Sequence, residues 1–298
     1  MTIEQPERPK VAVVLSSGGI KPLAAIPLFE FLDQARIPVD LLVGCSGGSI
    51  MSALRGCGYT AEQIRELIGR VARRDLFSSI NLRALLAMAR LPFGRFDTRS
   101  GLVRPARLRQ ALYEMFGDRR LEDLNPKTVI QTTEIQTGLG VILEEGPLID
   151  AVYASSAVFP MLPPLEVNGR LLADGYYTSS LPVMEAVKRD MDVIIAVIFH
   201  DPVDHGANDY LACLSNYYTI QGDSITRFQL ALSIELHHHE IIIIKVPFNR
   251  PINMWDVHHI PYIIETGQQV VARRGAEILD AVGSVSGQAS LRGADADG

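Results

Sequence analysis

Ser46 stands in Gly44-Cys45-Ser46-Gly47-Gly48, a serine with glycine two residues before it and two residues after it. The apolar run Leu41-Leu42-Val43 leads into it and Ser49-Ile50-Met51 leads out, so the sequence predicts strand, tight turn and helix. Such a turn holds the serine hydroxyl clear of the sheet, and glycines remove the side chains that would collide where the chain reverses. Alone, the pattern also fits a glycine-rich connection with an incidental serine. A serine nucleophile needs a base for its proton and donors for the oxyanion that forms on the attacked carbonyl. Asp174, in Leu171-Leu172-Ala173-Asp174-Gly175-Tyr176, supplies a carboxylate at the end of an apolar strand. Gly18 and Gly19, in Ser16-Ser17-Gly18-Gly19-Ile20-Lys21-Pro22, offer unobstructed backbone N–H groups at the positive end of a helix beginning near Pro22. All three features close predicted strands, where open α/β sheets place their ligands.

Other residues invite chemistry less strongly. Lys21 either steadies the glycine loop or meets a phosphate, or is a solvated residue at a helix start. Cys45 adjoins the serine, but in an elbow its side chain points away from the site, so a buried structural thiol is expected. His237-His238-His239 cannot all face one ion from a regular strand or helix, and no metal site is expected there. His258 and His259 follow Asp174 in the order of a Ser-Asp-His hydrolase, which leaves a third catalytic residue as a minor reading. Trp255 with Ile252 and Met254 suits ordinary packing better than a membrane interface.

The elements that must hold these residues are legible from hydropathy. Lys10 to Leu15 reads as a buried parallel strand, followed by a helix from Pro22 through Leu32, a second strand over Val39 to Val43 and a helix from Ser46 to about Gly56. This β-α-β-α start implies a parallel sheet with helices packed on it. Thr60-Ala61-Glu62-Gln63 is a capping box opening another helix, and Pro105 to Phe116 shows helical spacing. Between them, the apolar tract from Leu76 to Phe96, with scattered arginines, favours a core-packing helical excursion over a lid or lipid-facing surface. Strands are expected at Thr128 to Ile135, Gly140 to Glu144, Asp192 to Phe199 and Ile241 to Val246. Helices are expected near Ile149 to Ala154, over Tyr210 to Leu236 and over Ile263 to Val282.

With 298 residues, 47% of them hydrophobic, the chain has material for one large α/β domain over residues 10–282, with a leader over 1–9 and a disordered tail over 283–298. The net charge of -6 and the absence of a long basic run give no electrostatic case for nucleic acid. Three scattered cysteines exclude a disulfide framework. No apolar signal core and no uninterrupted apolar run of membrane-spanning length occurs, so a cytoplasmic protein is expected, and any membrane contact would be peripheral, through local apolar surface.

In this order the motifs resemble those of the patatin-like phospholipase family. Ser17-Gly18-Gly19-Ile20-Lys21-Pro22 is similar to its Gly-Gly-Gly-x-Arg/Lys-Gly loop, and Ala154-Ser155-Ser156-Ala157-Val158-Phe159-Pro160 to its A-S-x-A-x-P segment. Asp174-Gly175-Tyr176 is similar to its D-G-[GA] motif and Ser180-Leu181-Pro182-Val183 to its N-x-P-[VT] step. The resemblance implies a three-layer α/β/α fold with a mostly parallel central sheet. It implies a Ser46–Asp174 dyad, an oxyanion hole from Gly18 and Gly19, an acyl-enzyme on Ser46, a lipid ester substrate of phospholipase A or lysophospholipase type, and no cofactor. A Ser-Asp-His esterase, an acyltransferase and a lipid-binding pseudoenzyme are the alternatives. Ser17, Pro22 and Tyr176 depart from the family pattern, and the Tyr176 ring beside the base is expected to narrow the pocket or alter its substrate.

Overall fold

The computed structural model describes residues 8–72, 75–200, 202–203, 205–236, 240–253 and 256–295. Strand β1 (Val11–Leu15) leads through a loop and a 3-10 turn (Lys21–Ala25) into α1 (Ile26–Gln34). The helix start expected at Pro22 is thus a 3-10 turn first, with the α-helix set in only at Ile26. Strand β2 (Leu41–Cys45) feeds α2 (Gly47–Gly56) directly through Ser46, and α3 (Ala61–Val71) opens on the capping box, whose two reciprocal bonds join Thr60 and Gln63. Helices α4 (Leu82–Met88) and α5 (Ala106–Phe116) follow, then β3 (Lys127–Glu134), β4 (Gly140–Leu143) and α6 (Leu148–Ser155). Strand β5 (Leu165–Val167), too short to leave a hydropathy signature, hairpins with β6 (Arg170–Asp174). Next come α7 (Met184–Val187), β7 (Val193–His200), α8 (Tyr210–Leu236), β8 (Glu240–Pro247) and α9 (Ile260–Asp295). Helix α9 passes Gly283 without a break, so helical backbone enters the stretch whose composition predicts a tail.

Five strands in the order β3-β2-β1-β7-β8 pair in parallel, and β4, β5 and β6 add antiparallel pairs on the β3 side. Successive side chains of a strand point to opposite faces. In β1, Val11, Val13 and Leu15 enter the core shared with α1, α2, α3, α5, α6 and α9, while Ala12 and Val14 enter a smaller core with Leu181, Ala186 and Leu230 beneath α7 and α8. Both faces are covered, which is why the parallel strands read as unbroken apolar runs. The fold is α/β, a mixed and mostly parallel sheet between two helical layers of unequal depth.

Strand β3 decides where the site forms. Ile130 pairs with Gly44 on one edge and Leu143 of β4 on the other, and Thr132 pairs with Val141 of β4 on one edge and Asp174 of β6 on the other. The edge opposite β4 is therefore shared: β2 occupies it up to Gln131, opposite Cys45, and β6 takes over from Thr132, opposite Asp174. Two strands running in opposite directions meet end to end there, and their last residues are adjacent although 128 residues separate Ser46 from Asp174.

Of the tract expected to pack as core, Leu76 and Phe77 lie against the core, but most of the apolar side chains from Ile80 onward do not. Within it Ala84 is buried, whereas Leu82, Leu85, Met88, Leu91, Phe93 and Phe96 are exposed. Composition alone cannot separate a buried apolar helix from one that faces outward, because the distinction depends on whether another element covers it.

Candidate active site

Ser46 has φ +53° and ψ -126°, a conformation that a residue with a Cβ adopts at a cost on the order of 1–3 kcal/mol. Surrounding contacts hold it there. Its N–H donates to Ser155 Oγ at 2.9 Å, and Ser155 in turn donates to the carbonyl of Gln131 at 2.7 Å, tying the elbow to β3 through α6. Its carbonyl accepts from Ser49 Oγ at 2.6 Å and from Ser49 N–H at 2.9 Å. The glycines are required by close approach: a Cβ on Gly47 would lie 1.9 Å from the carbonyl oxygen of Gly19, and one on Gly48 2.5 Å from those of Leu15 and Ser16. A Cβ on Gly44 would come within 2.6 Å of the Gly48 carbonyl oxygen. The elbow and the Gly18-Gly19 loop are thus in backbone contact.

Ser46 Oγ donates to Asp174 Oδ2 at 2.8 Å, and Asp174 Oδ1 accepts from the N–H of Tyr176 at 2.9 Å. Both side chains are nearly closed off, Asp174 at 2% exposure and Ser46 at 8%. Burial penalises the carboxylate more than those two donors help it, and the Asp174 carboxyl is pushed up to about 7. Among the described residues no histidine bonds to either group. His259 instead faces Asp256, with Nδ1 3.3 Å from Oδ2. His237, His238, His239, Met254 and Trp255 lie outside the described residues. Cys45 is fully buried on β2, and its thiol is pushed well above the usual range by burial and by the nearby Asp174 charge.

Among the described residues nothing accepts the N–H of Gly18 or Gly19. The loop that carries them is pinned by Ser17, whose N–H donates to the carbonyl of Ser180 at 2.8 Å and whose hydroxyl lies 2.7 Å from the Ser180 hydroxyl. Ser17 of the glycine loop therefore meets Ser180 of the Ser180-Leu181-Pro182-Val183 step. Lys21 is buried, not solvated, and lines the same cavity as Ser46 and Asp174.

Ser46 and Gly19 lie where two cavities adjoin. One, of about 130 Å³, has apolar walls that include Met51, Ile68, Val71, Phe77 and Leu162. The other, of about 620 Å³, holds Asp174, Lys21, Tyr176 and Phe159 together with Tyr218 and Asp223 of α8. The Tyr176 ring leans toward α8, where its hydroxyl donates to the carbonyl of Tyr218 and its edge meets the Tyr218 ring at 6.0 Å. Gly222 leaves room for it, since a Cβ there would sit 2.6 Å from the ring. Tyr176 forms cavity wall while its backbone serves the carboxylate. Sequence reading assigned no role to Ser155, Gly47, Tyr218 or Gly222. Ser155 and Gly47 sit inside motifs already singled out, whereas nothing in the sequence ties α8 to Tyr176.

A model of the patatin-like phospholipase family matches residues 13–187. The chain belongs to that family. Among curated relatives, Lysophospholipase NTE1 of Candida glabrata is 29% identical over 210 residues and that of Saccharomyces cerevisiae 28% over 210. Each alignment covers 70% of this chain but only 12% of the relative, so the chain spans about an eighth of their length. Among solved structures, VipD from Legionella pneumophila overlaps 90% of this chain and 67% of its own at 12% identity and a TM-score of 0.45. ExoU of the Pseudomonas aeruginosa type III secretion system overlaps 90% of this chain and 53% of its own at 14% identity and a TM-score of 0.41.

Proposed function

We propose that the chain is a serine hydrolase that cleaves carboxylic esters of lipids through a Ser46–Asp174 dyad. The observation that carries this reading is the 2.8 Å bond from Ser46 Oγ to Asp174 Oδ2, made by a serine in a strained elbow to a carboxylate whose ordinary acidity burial has removed. A base titrating near 7 combines the right protonation state at neutral pH with real affinity for the serine proton. Ser46 Oγ attacks the acyl carbonyl as its proton passes to Asp174 Oδ2. The carbonyl oxygen becomes an oxyanion facing the N–H groups of Gly18 and Gly19. Collapse breaks the ester C–O bond, the proton on Asp174 passes to the leaving alcohol, and the acyl group stays on Ser46. Water then attacks the acyl-enzyme, Asp174 takes its proton and returns it to Ser46, and the fatty acid leaves.

The two cavities fit the two products of that cleavage. The apolar one suits the methylenes next to the acyl carbonyl, and the wider one, with Lys21 in its wall, suits the alcohol portion of a phospholipid or lysophospholipid. The names of the curated relatives support lysophospholipase as the reaction type. Turnover of lysophosphatidylcholine and of a soluble p-nitrophenyl ester tests the reading in Ser46→Ala and Asp174→Asn. Each is expected to lose on the order of 1,000-fold or more in kcat, with the double variant little worse than either single one because the pair acts as a unit. A fluorophosphonate should label Ser46 in the folded wild type. Retained activity in Ser46→Ala sinks the proposal, and loss of activity on replacing His258 and His259 together replaces the dyad with a triad.

A further inference from the structure

Residues 82–101 form an excursion whose two ends meet at one short bridge. Ile80 pairs with Val103, the Asn81 N–H donates to Leu102 O at 2.8 Å, and the Arg104 N–H donates to Ser79 O at 2.7 Å. The stem of this arm sits on the walls of both cavities. Leu76 and Phe77 line the narrow apolar one. On the other side, the N–H groups of Leu102 and Val103 bond to the carbonyls of Pro160 and Met161 in the wall of the larger one, and Phe96 meets the Phe159 ring edge-on at 6.5 Å.

The arm has a defined shape. Asn81 Oδ1 caps α4 through the Ala84 N–H, the Arg95 N–H bonds back to Arg83 O at 3.1 Å, and a Cβ on Gly94 would lie 2.3 Å from the backbone nitrogen of Ala87. Yet it turns Leu82, Met88, Leu91, Phe93 and Phe96 outward, each more than half exposed, and Phe93 is 93% exposed. Phe93 also has φ +65°, a left-handed conformation unfavourable to a bulky side chain, so strain is spent on a ring that stabilises nothing inside the protein.

Charge indicates what covers this face. From Leu82 to Arg104 there are five arginines, Arg83, Arg90, Arg95, Arg99 and Arg104, and one acid, Asp97, in a chain whose net charge is -6. Arg99 pairs with Glu166 at 2.5 Å, whereas Arg83, Arg90 and Arg95 are exposed with no side-chain partner among the described residues. The other exposed apolar face near the site, on α8 with Tyr217 and Phe228, carries Arg227 against Asp223 and Glu235 and has no such excess.

We infer that the arm docks the protein on a bilayer containing anionic phospholipid. Leu91 and Phe93 enter the acyl region, Arg83, Arg90 and Arg95 meet lipid phosphates, and the stem brings the walls of both cavities to the lipid surface. The surface itself is independent of catalysis, and its use in presenting substrate rests on the lipid-ester reading above. Apolar side chains rimmed by basic ones are the chemistry that binds such a surface.

The test is co-sedimentation of the full chain with phosphatidylcholine vesicles, with and without phosphatidylglycerol, alongside hydrolysis of soluble p-nitrophenyl butyrate. Wild type is expected to bind the anionic vesicles and to release as salt rises. Leu91→Gln/Phe93→Gly should lower binding by about tenfold or more from lost apolar insertion, and the glycine relieves backbone strain, so the variant keeps its fold. Arg83→Gln/Arg90→Gln/Arg95→Gln should lower binding to anionic vesicles by about fivefold per arginine. Both should keep soluble ester hydrolysis, and Ser46→Ala should still bind vesicles. Wild type that ignores both vesicle types, or arm variants that bind as wild type does, overturns the inference. A concentration-dependent dimer lost in Leu91→Gln/Phe93→Gly, without vesicle binding, assigns the face to a second copy of the chain and likewise overturns it. Soluble hydrolysis persisting in Ser46→Ala would instead sink the catalytic reading while leaving the docking result standing.

Discussion

Ser46 and Phe93 both hold a left-handed backbone that neither residue type favours, and everything around them differs. Ser46, at φ +53° and 8% exposure, is held by bonds to Ser155, Ser49 and Asp174 and by glycines that admit neighbouring backbone. Phe93, at φ +65° and 93% exposure, has its ring in solvent at the tip of an arm. In the first case strain aims a hydroxyl at a carboxylate inside the protein. In the second it aims an aromatic ring away from the protein, where the proposed bilayer would receive it. The same contrast separates apolar residues at large: Phe116 of α5 is fully buried in the core beside Leu112 and Met115, while the arm displays side chains of the same kinds.

The firmest way to break this comparison is to truncate one phenylalanine in each region. Phe116→Ala should lower unfolding free energy by about 3–5 kcal/mol in urea denaturation, because it leaves a cavity in packed core. Phe93→Ala should stay within about 0.5 kcal/mol of wild type. Comparable losses at both positions would mean that the arm is packed in solution and the contrast is false.

A second prediction sharpens the interior side. Asp174 has a folded pKa of about 7 against an ordinary 3.8, so its carboxyl is protonated in both states below about pH 4 and contributes no difference there. As pH rises from about 4 through 7, the unfolded chain gives up this proton first and the folded state loses stability relative to it; above about 7 the loss levels off. Asp174→Asn escapes that loss and should be the more stable protein at pH 8, by on the order of 2–4 kcal/mol, with the gain vanishing near pH 4. Wild-type kcat/KM should rise through about pH 7 as the base ionises. A stability difference that does not change with pH would remove burial of this charge from the account.

The smallest effect concerns the strain itself. Ser46→Gly should be more stable than Ser46→Ala by about 1 kcal/mol, since both remove the hydroxyl but only glycine relaxes the turn. Phe93→Gly should likewise gain on Phe93→Ala. If glycine gains at neither position, the unusual dihedral angles carry no energy worth explaining.

The amino-acid sequence by itself determined most of the elements, the elbow and the family. Continuous apolar runs mark strands covered on both faces, Thr60 to Gln63 marks a helix start, and Gly44 and Gly48 mark a sharp chain reversal where side chains would collide. These are local signals, written within a few residues of where they act. It named Ser46 and Asp174 individually, but their adjacency follows from the way β2 and β6 divide one edge of β3, a pairing between strands far apart in the chain. Burial of Asp174, the span from Tyr176 to Tyr218, and the pairing of Ser17 with Ser180 were likewise decided only by tertiary structure. The apolar tract from Leu76 to Phe96 shows the limit most plainly. Hydropathy reports what a segment can bury, and only its neighbours in space decide whether it is buried at all.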